Sequence, residues 1–118
     1  MTGKTTLRSE PRRGEIYWIA AQGELGSKRR PAVVVASDRF IPLFDRVTVC
    51  LITSHLVDAP ALRVPLAASK ASGLDKPSAV MVDKLLTVSK PRLVEKMGAV
   101  GSAQLAAIEN ALRDYLEL

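Results

Sequence analysis

Cysteine occurs once in these 118 residues, at Cys50, and histidine once, at His55. A single cysteine inside an apolar run forms no intrachain disulfide and no thiolate metal site, a usage that fits a reducing cytoplasm. No apolar run approaches the length that crosses a bilayer, and no continuous apolar segment of signal-peptide type stands near the N-terminus, so no membrane association is expected. Also missing are HExxH, paired Cys/His spacing, a glycine-rich phosphate loop and a GxSxG elbow. Metal, nucleotide-cofactor and serine-hydrolase chemistries therefore have no motif to rest on. No metal site and no cofactor are expected.

What is present is an ordinary globular composition with a basic excess: 47% apolar and 25% charged residues, and a net charge of +5. A chain of this length forms one domain with its own hydrophobic core. The charge is uneven, because Lys4, Arg8, Arg12 and Arg13 crowd the start against Glu10 alone. Residues 1–11, rich in Thr, Ser and charge, read as a disordered basic leader, and 12–118 as the folded domain. Such a balance suits a polyanionic partner, and equally suits plain solubility.

Folding is expected to start near Gly14. The β-branched and aromatic run Glu15–Ala20 is a strand. A Gly- and Ser-containing loop, 21–28, follows. Pro31 opens a second strand, Ala32–Ser37, since a first strand residue tolerates a missing donor. Arg46–Thr53, apolar almost throughout, reads as a central strand buried on both faces. Leu62–Leu66 carries Pro65 and is assigned to an edge. Ser78–Leu85 and Lys96–Val100 complete the strands, with a helical turn at Pro91 between them. Ser102 is the expected N-cap of a helix, Ala103–Glu117, whose Leu105, Ile108, Leu112 and Tyr115 follow helical spacing. The sum is a small, mainly β (α+β) twisted barrel or sheet with one terminal helix packed on it.

Two strand mouths carry polar groups suited to phosphate. Arg29-Arg30-Pro31 runs into Ala32-Val33-Val34-Val35, and Thr53-Ser54 closes Val47–Ile52. A guanidinium binds phosphate bidentately, and a neighbouring hydroxyl donates to the same group. Taken alone, Arg30 reads more readily as a loop-end cation and Thr53 as an ordinary strand residue. Tyr17 and Trp18 could stack bases, but one must face the core; Trp18 is assigned the structural place.

Five segments in consistent order resemble the MazF/PemK (Kid-like) toxin family of type II toxin–antitoxin systems. They are Arg13-Gly14-Glu15-Ile16-Tyr17-Trp18; Gly26-Ser27 with Arg30-Pro31-Ala32-Val33; Ile52-Thr53-Ser54; Gly73-Leu74 with Pro77 to Asp83; and Lys96-Met97-Gly98 before the helix. The resemblance implies an SH3-like β-barrel of the CcdB/MazF type with a C-terminal helix, assembled as a homodimer. It also implies a cytoplasmic, metal-independent, sequence-specific endoribonuclease that cleaves single-stranded RNA to a 2′,3′-cyclic phosphate and a 5′-hydroxyl. A cognate antitoxin with an acidic disordered tail is the implied partner.

Carried over position by position, the catalytic pair is Arg30 and Thr53. The guanidinium would stabilise charge on the pentacoordinate phosphorus, and the threonine would hold the in-line geometry. Asp83 matches an aspartate that supports the site in Kid-like members, by orienting an arginine or accepting a proton; a strand-end salt bridge is its alternative. His55 could serve as general base or touch RNA from its loop. Ser27, Lys28, Arg29 and Ser54 are the expected RNA contacts, which set affinity more than sequence choice.

Three departures bear on specificity. The Gly26–Pro31 loop is shorter than the family's and lacks its acidic residue, Leu86 stands in place of an arginine, and Met81 in place of another found in Kid-like members. Two other classes stay open for this fold: a CcdB-like gyrase poison without enzymatic activity, and a degenerate module that binds RNA or antitoxin.

Overall fold

The computed structural model describes residues 10–20 and 28–118. Six strands, β1 (Glu15–Ile19), β2 (Arg30–Val34), β3 (Arg46–Thr53), β4 (Arg63–Leu66), β5 (Ser78–Ser89) and β6 (Leu93–Ala99), precede one helix, α1 (Ser102–Leu116). They form a single antiparallel sheet in the order β4-β5-β3-β2-β1-β6. β3 is central and β4, with Pro65, is an edge, as the apolar run and the proline require.

The alternation of β3 sorts its side chains onto two cores. Cys50 and Ile52 join Ile16, Val33, Val80, Val82 and Ile108 beneath α1. Val47, Val49 and Leu51 join Ile19, Ala32, Val34 and Ile41 on the other face. Ile41 comes from the 3-10 turn Ile41–Leu43, within the connection where a helical turn is expected. Tyr17, rather than Trp18, is the aromatic that packs against a core, on the second face. Burial pushes the Cys50 thiol up to about 12, and the Asp83 charge adds to this, so the thiol is an inert apolar filler.

The sheet curls until its ends meet through the segment after β4. The Ala99 N–H at the end of β6 donates to the Ala71 carbonyl at 2.8 Å. Gly73, at φ +74°, and Gly98 make this approach feasible: a Cβ on Gly73 would overlap the Met97 backbone, and one on Gly98 the Ala71–Ser72 backbone. Gly98→Ala should therefore open the closure and destabilise the fold by more than about 2 kcal/mol, read as a shifted denaturant midpoint. An unchanged midpoint would show that the two backbones separate without cost.

Several boundaries differ from the sequence reading, among them the second strand, which runs Arg30–Val34 where Ala32–Ser37 is expected. β5 runs on to Ser89 instead of ending at Leu85, and β6 begins at Leu93. The exposed Lys84, Leu85 and Thr87 obscure the period there. Gly101, not Ser102, is the N-cap, with extended backbone and no side-chain bond. Glu10 and Pro11, assigned above to the leader, belong to the fold: Pro11 is buried, and Glu10 pairs with Lys90 at 2.7 Å. Arg13 then ties this entry to Glu109 of α1 at 2.7 Å, and its backbone N–H to Asp38 at 2.8 Å.

Burial alone would raise the Glu15 carboxyl, but hydrogen bonds from Lys96, the Arg12 N–H and the Tyr17 hydroxyl outweigh it and hold the group below its ordinary 4.5. A depressed folded value contributes stability above the unfolded value, and that contribution is lost as pH falls through the folded one. Glu15→Gln should flatten the acid limb of the stability curve below about pH 4.5, measured by urea unfolding at a series of pH values. A limb as steep as in the unsubstituted protein would assign acid sensitivity elsewhere.

Candidate active site

The strand-mouth residues lie at neighbouring ends of two paired strands. Thr53 of β3 pairs with Ala79 of β5, and Arg30 of β2 pairs with Ile19 of β1. The β2–β3 ladder ends at Ala32 paired with Leu51, and Arg30 and Thr53 each lie two residues beyond that last pair on their own strands. A two-residue step preserves the face. Both residues therefore share the side on which Ala32 and Leu51 pack.

Their surroundings differ. Arg30 is exposed, and among the described residues its guanidinium has no hydrogen-bond or ion-pair partner. Thr53 is half-buried, and its hydroxyl accepts the His55 backbone N–H at 3.0 Å. That bond orients the hydroxyl and leaves its own proton for an outside acceptor. Ser54 and His55 are exposed in the bend that follows.

Beside Arg30 opens a groove of about 580 Å³, with Leu51 as floor and Met81, Asp83, Lys84 and Arg92 among its walls. Its size is that of a small-ligand site. Arg30, Lys84 and Arg92 give it three cations against one carboxylate, Asp83. Arg92 is anchored, since its Nε and Nη2 donate to the Ala20 carbonyl at 3.2 and 2.8 Å. Thr53 does not line the groove; it lies two residues beyond Leu51 on β3.

A wide bulge shapes this wall. Cys50 pairs with Leu85 and Ile52 with Val80, so Leu51 alone faces the four residues Met81–Lys84. Extra residues of this kind bend a strand and re-aim side chains. Asp83, on the bulge, accepts from Arg63 Nη1 of β4 at 2.7 Å, the strand salt bridge that was its alternative. It lines the groove as well, so the two placements coexist.

The expected RNA contacts are only partly gathered. Lys28 and Arg29 are exposed just before Arg30, and Arg29 approaches Glu95 at 3.6 Å, both side chains being more than half exposed. A pair this open contributes little. Ser27 lies outside the described residues. Sequence reasoning missed Arg63, Lys84 and Arg92. Arg92 stood beside the Pro91 turn, but its place at the groove depends on strand pairing. Among the described residues no three of His, Cys, Asp and Glu cluster at metal-ligand range. Among the described residues no helix is long and apolar enough to cross a membrane.

The family model described as "PemK-like, MazF-like toxin of type II toxin-antitoxin system" matches residues 12–116. The chain is similar to the probable endoribonuclease MazF of Mycolicibacterium smegmatis, 35% identical over 105 residues that cover 89% of this chain and 95% of that one. It is also similar to endoribonuclease MazF9 of Mycobacterium tuberculosis, 31% identical over 91% of this chain and 97% of that one. In fold it resembles the MazF crystal structure from Deinococcus radiodurans, with a TM-score of 0.77 at 21% identity over 94% of this chain and 100% of that one. An endoribonuclease from a mycobacterial species, solved in complex with its cognate antitoxin, gives a TM-score of 0.75 at 24% identity over 92% and 96%.

Proposed function

The chain belongs to the PemK-like, MazF-like toxin family of type II toxin–antitoxin systems, and on that premise we propose that it is an endoribonuclease that cleaves single-stranded RNA in a sequence-specific, metal-independent way. One observation supports the reading: Arg30 lines a cationic groove, and Thr53, far from it in sequence, stands at the same end of the neighbouring strand, each two residues beyond the last β2–β3 pair.

The reaction needs little else. The substrate's 2′-oxygen attacks the adjacent phosphorus in line with the departing 5′-oxygen. The new P–O2′ bond and the broken P–O5′ bond leave a 2′,3′-cyclic phosphate on one fragment. The 5′-oxygen takes a proton and leaves as a 5′-hydroxyl, and the 2′-hydroxyl proton passes to a base. Arg30, forked and without a partner among the described residues, meets the charge that develops on the non-bridging oxygens. Thr53 donates its free proton to the same phosphate and fixes its orientation. Asp83, lining the groove, accepts a hydrogen bond from the substrate. Lys28, Arg29 and Ser54, and Ser27 on sequence grounds, hold the flanking backbone, and His55 touches RNA from the bend.

Partners follow from the same surface. The excess of cations suits both RNA and the acidic disordered tail of a cognate antitoxin, which would block the groove. Phe40, Leu43 and Phe44, 49%, 67% and 61% exposed, favour a homodimer in which apolar surface is covered. The compartment of action is the cytoplasm, in keeping with the lone thiol.

The test is incubation of the purified protein with a mixed RNA pool in EDTA, with fragment ends mapped and their chemistry read. Cuts at one short motif, leaving cyclic phosphate and 5′-hydroxyl ends, are expected. An intact pool would sink the reading and return the choice to a gyrase-directed poison or a binding module.

A further inference from the structure

Asp83 is the one carboxylate among the residues lining the groove. A negative charge in a channel for a polyanion weakens binding unless it is paired or used. It also stands on the stretch Met81–Lys84, which β3 does not pair residue for residue, because Leu51 alone faces those four positions. The support comes from the other side. Arg63 of β4 faces Met81 across the ladder, and the Val82 N–H donates to the Leu62 carbonyl at 3.1 Å. From that position the Arg63 guanidinium reaches diagonally to Asp83, two residues along, its Nη1 donating to Oδ1 at 2.7 Å and to the Leu62 carbonyl at 3.0 Å.

This pair differs from an ordinary surface contact. Its side chains are 18% and 22% exposed, against 56% and 64% for Arg29 and Glu95. Arg63 Nε is buried and has no acceptor among the described residues. Arg63 itself does not line the groove. It acts through Asp83.

We infer that Arg63 is a positioning residue of the site: from the neighbouring strand it clamps the bulge and presents the Asp83 carboxylate to the RNA, with one oxygen neutralised from behind and the other turned to substrate. The inference rests on the endoribonuclease reading for its consequence and on the β4–β5 geometry for its mechanism. Arg63 is thus a determinant of turnover that never touches RNA.

The test compares steady-state cleavage of a defined RNA by the unsubstituted protein, Arg63→Ala, Arg63→Lys, Asp83→Asn and the double Arg63→Ala/Asp83→Asn. Arg63→Ala should lower kcat about 30-fold, the scale on which misplacing a reacting group is felt, with KM within about threefold. In the Asp83→Asn background the same change should cost less than about twofold, because the clamp has nothing left to hold. Arg63→Lys, which keeps a cation within reach of the same carboxylate, should retain part of the kcat that Arg63→Ala loses, whereas a role in packing alone would not follow the charge. Amide exchange over residues 81–84, slow in the unsubstituted protein and faster in Arg63→Ala, reads the clamp without any RNA. Unchanged exchange, an unchanged kcat, or losses that multiply in the Asp83→Asn double would overturn the inference. Should the unsubstituted protein cut no RNA, the functional reading fails separately, and the exchange result still decides whether Arg63 holds the bulge.

Discussion

Arg30→Ala is expected to abolish RNA cleavage, lowering kcat by about 10³-fold while KM moves only a few-fold. The size follows from what the residue is asked to do. Phosphoryl transfer without a metal leaves the charge on the non-bridging oxygens to be met by fixed donors alone. The other arginines near the site are engaged elsewhere: Arg29 with Glu95, Arg63 with Asp83, and Arg92 with the Ala20 carbonyl. Arg30 alone of these has no partner among the described residues. Its backbone is fixed all the same, since Arg30 pairs with Ile19 inside the ladder. A free fork on a fixed strand meets developing charge with little reorganisation. Arg30→Lys should recover little, because an ammonium is a point charge without the planar pair of donors. Neither variant should shift the melting temperature much, as the side chain is exposed and buries nothing. Initial rates on a defined oligonucleotide in EDTA decide it, and an alanine variant within tenfold of the unsubstituted rate would remove Arg30 from the reaction.

How much of this was legible in the sequence depended on how local the determinant was. β3 and β4 could be read because their signals lie within the strand: an unbroken apolar run, and a proline that an interior strand would not accept. The end of β5 could not, because the bulge at Met81–Lys84 breaks the period from which a strand is recognised. Gly101 takes the cap from Ser102 through the path of the entering backbone, which residue preference does not encode. For the site, the family resemblance pointed to Arg30 and Thr53, while their residue types alone favoured plainer roles. That they lie together at one end of two paired strands is a fact of pairing, which is a relation between strands. Arg63 shows the same limit. Nothing around it in sequence distinguishes it from any exposed arginine, and only the pairing of β4 with β5 places it against Asp83.

Thr53→Val should lower kcat by about 10²-fold, the scale of removing one preorganised donor, whereas Thr53→Ser should remain within about tenfold of the unsubstituted protein. Valine keeps the β-branch and the volume, so β3 retains its shape while the hydroxyl is lost. Serine keeps the hydroxyl and loses the methyl. The two variants therefore separate a hydrogen-bond role from a packing role at a half-buried strand end. If valine cleaves as well as serine, the hydroxyl takes no part and Thr53 is only a strand residue. The contact from His55 sharpens the test. It is the backbone N–H of residue 55 that holds the Thr53 oxygen, at 3.0 Å, and any residue but proline supplies that donor. His55→Ala should thus leave Thr53 in place and reduce turnover only mildly, through lost contact with RNA. A loss as large as that of Thr53→Val, together with loss of the acidic limb of the pH–rate profile, would instead make the imidazole the base that takes the 2′-hydroxyl proton.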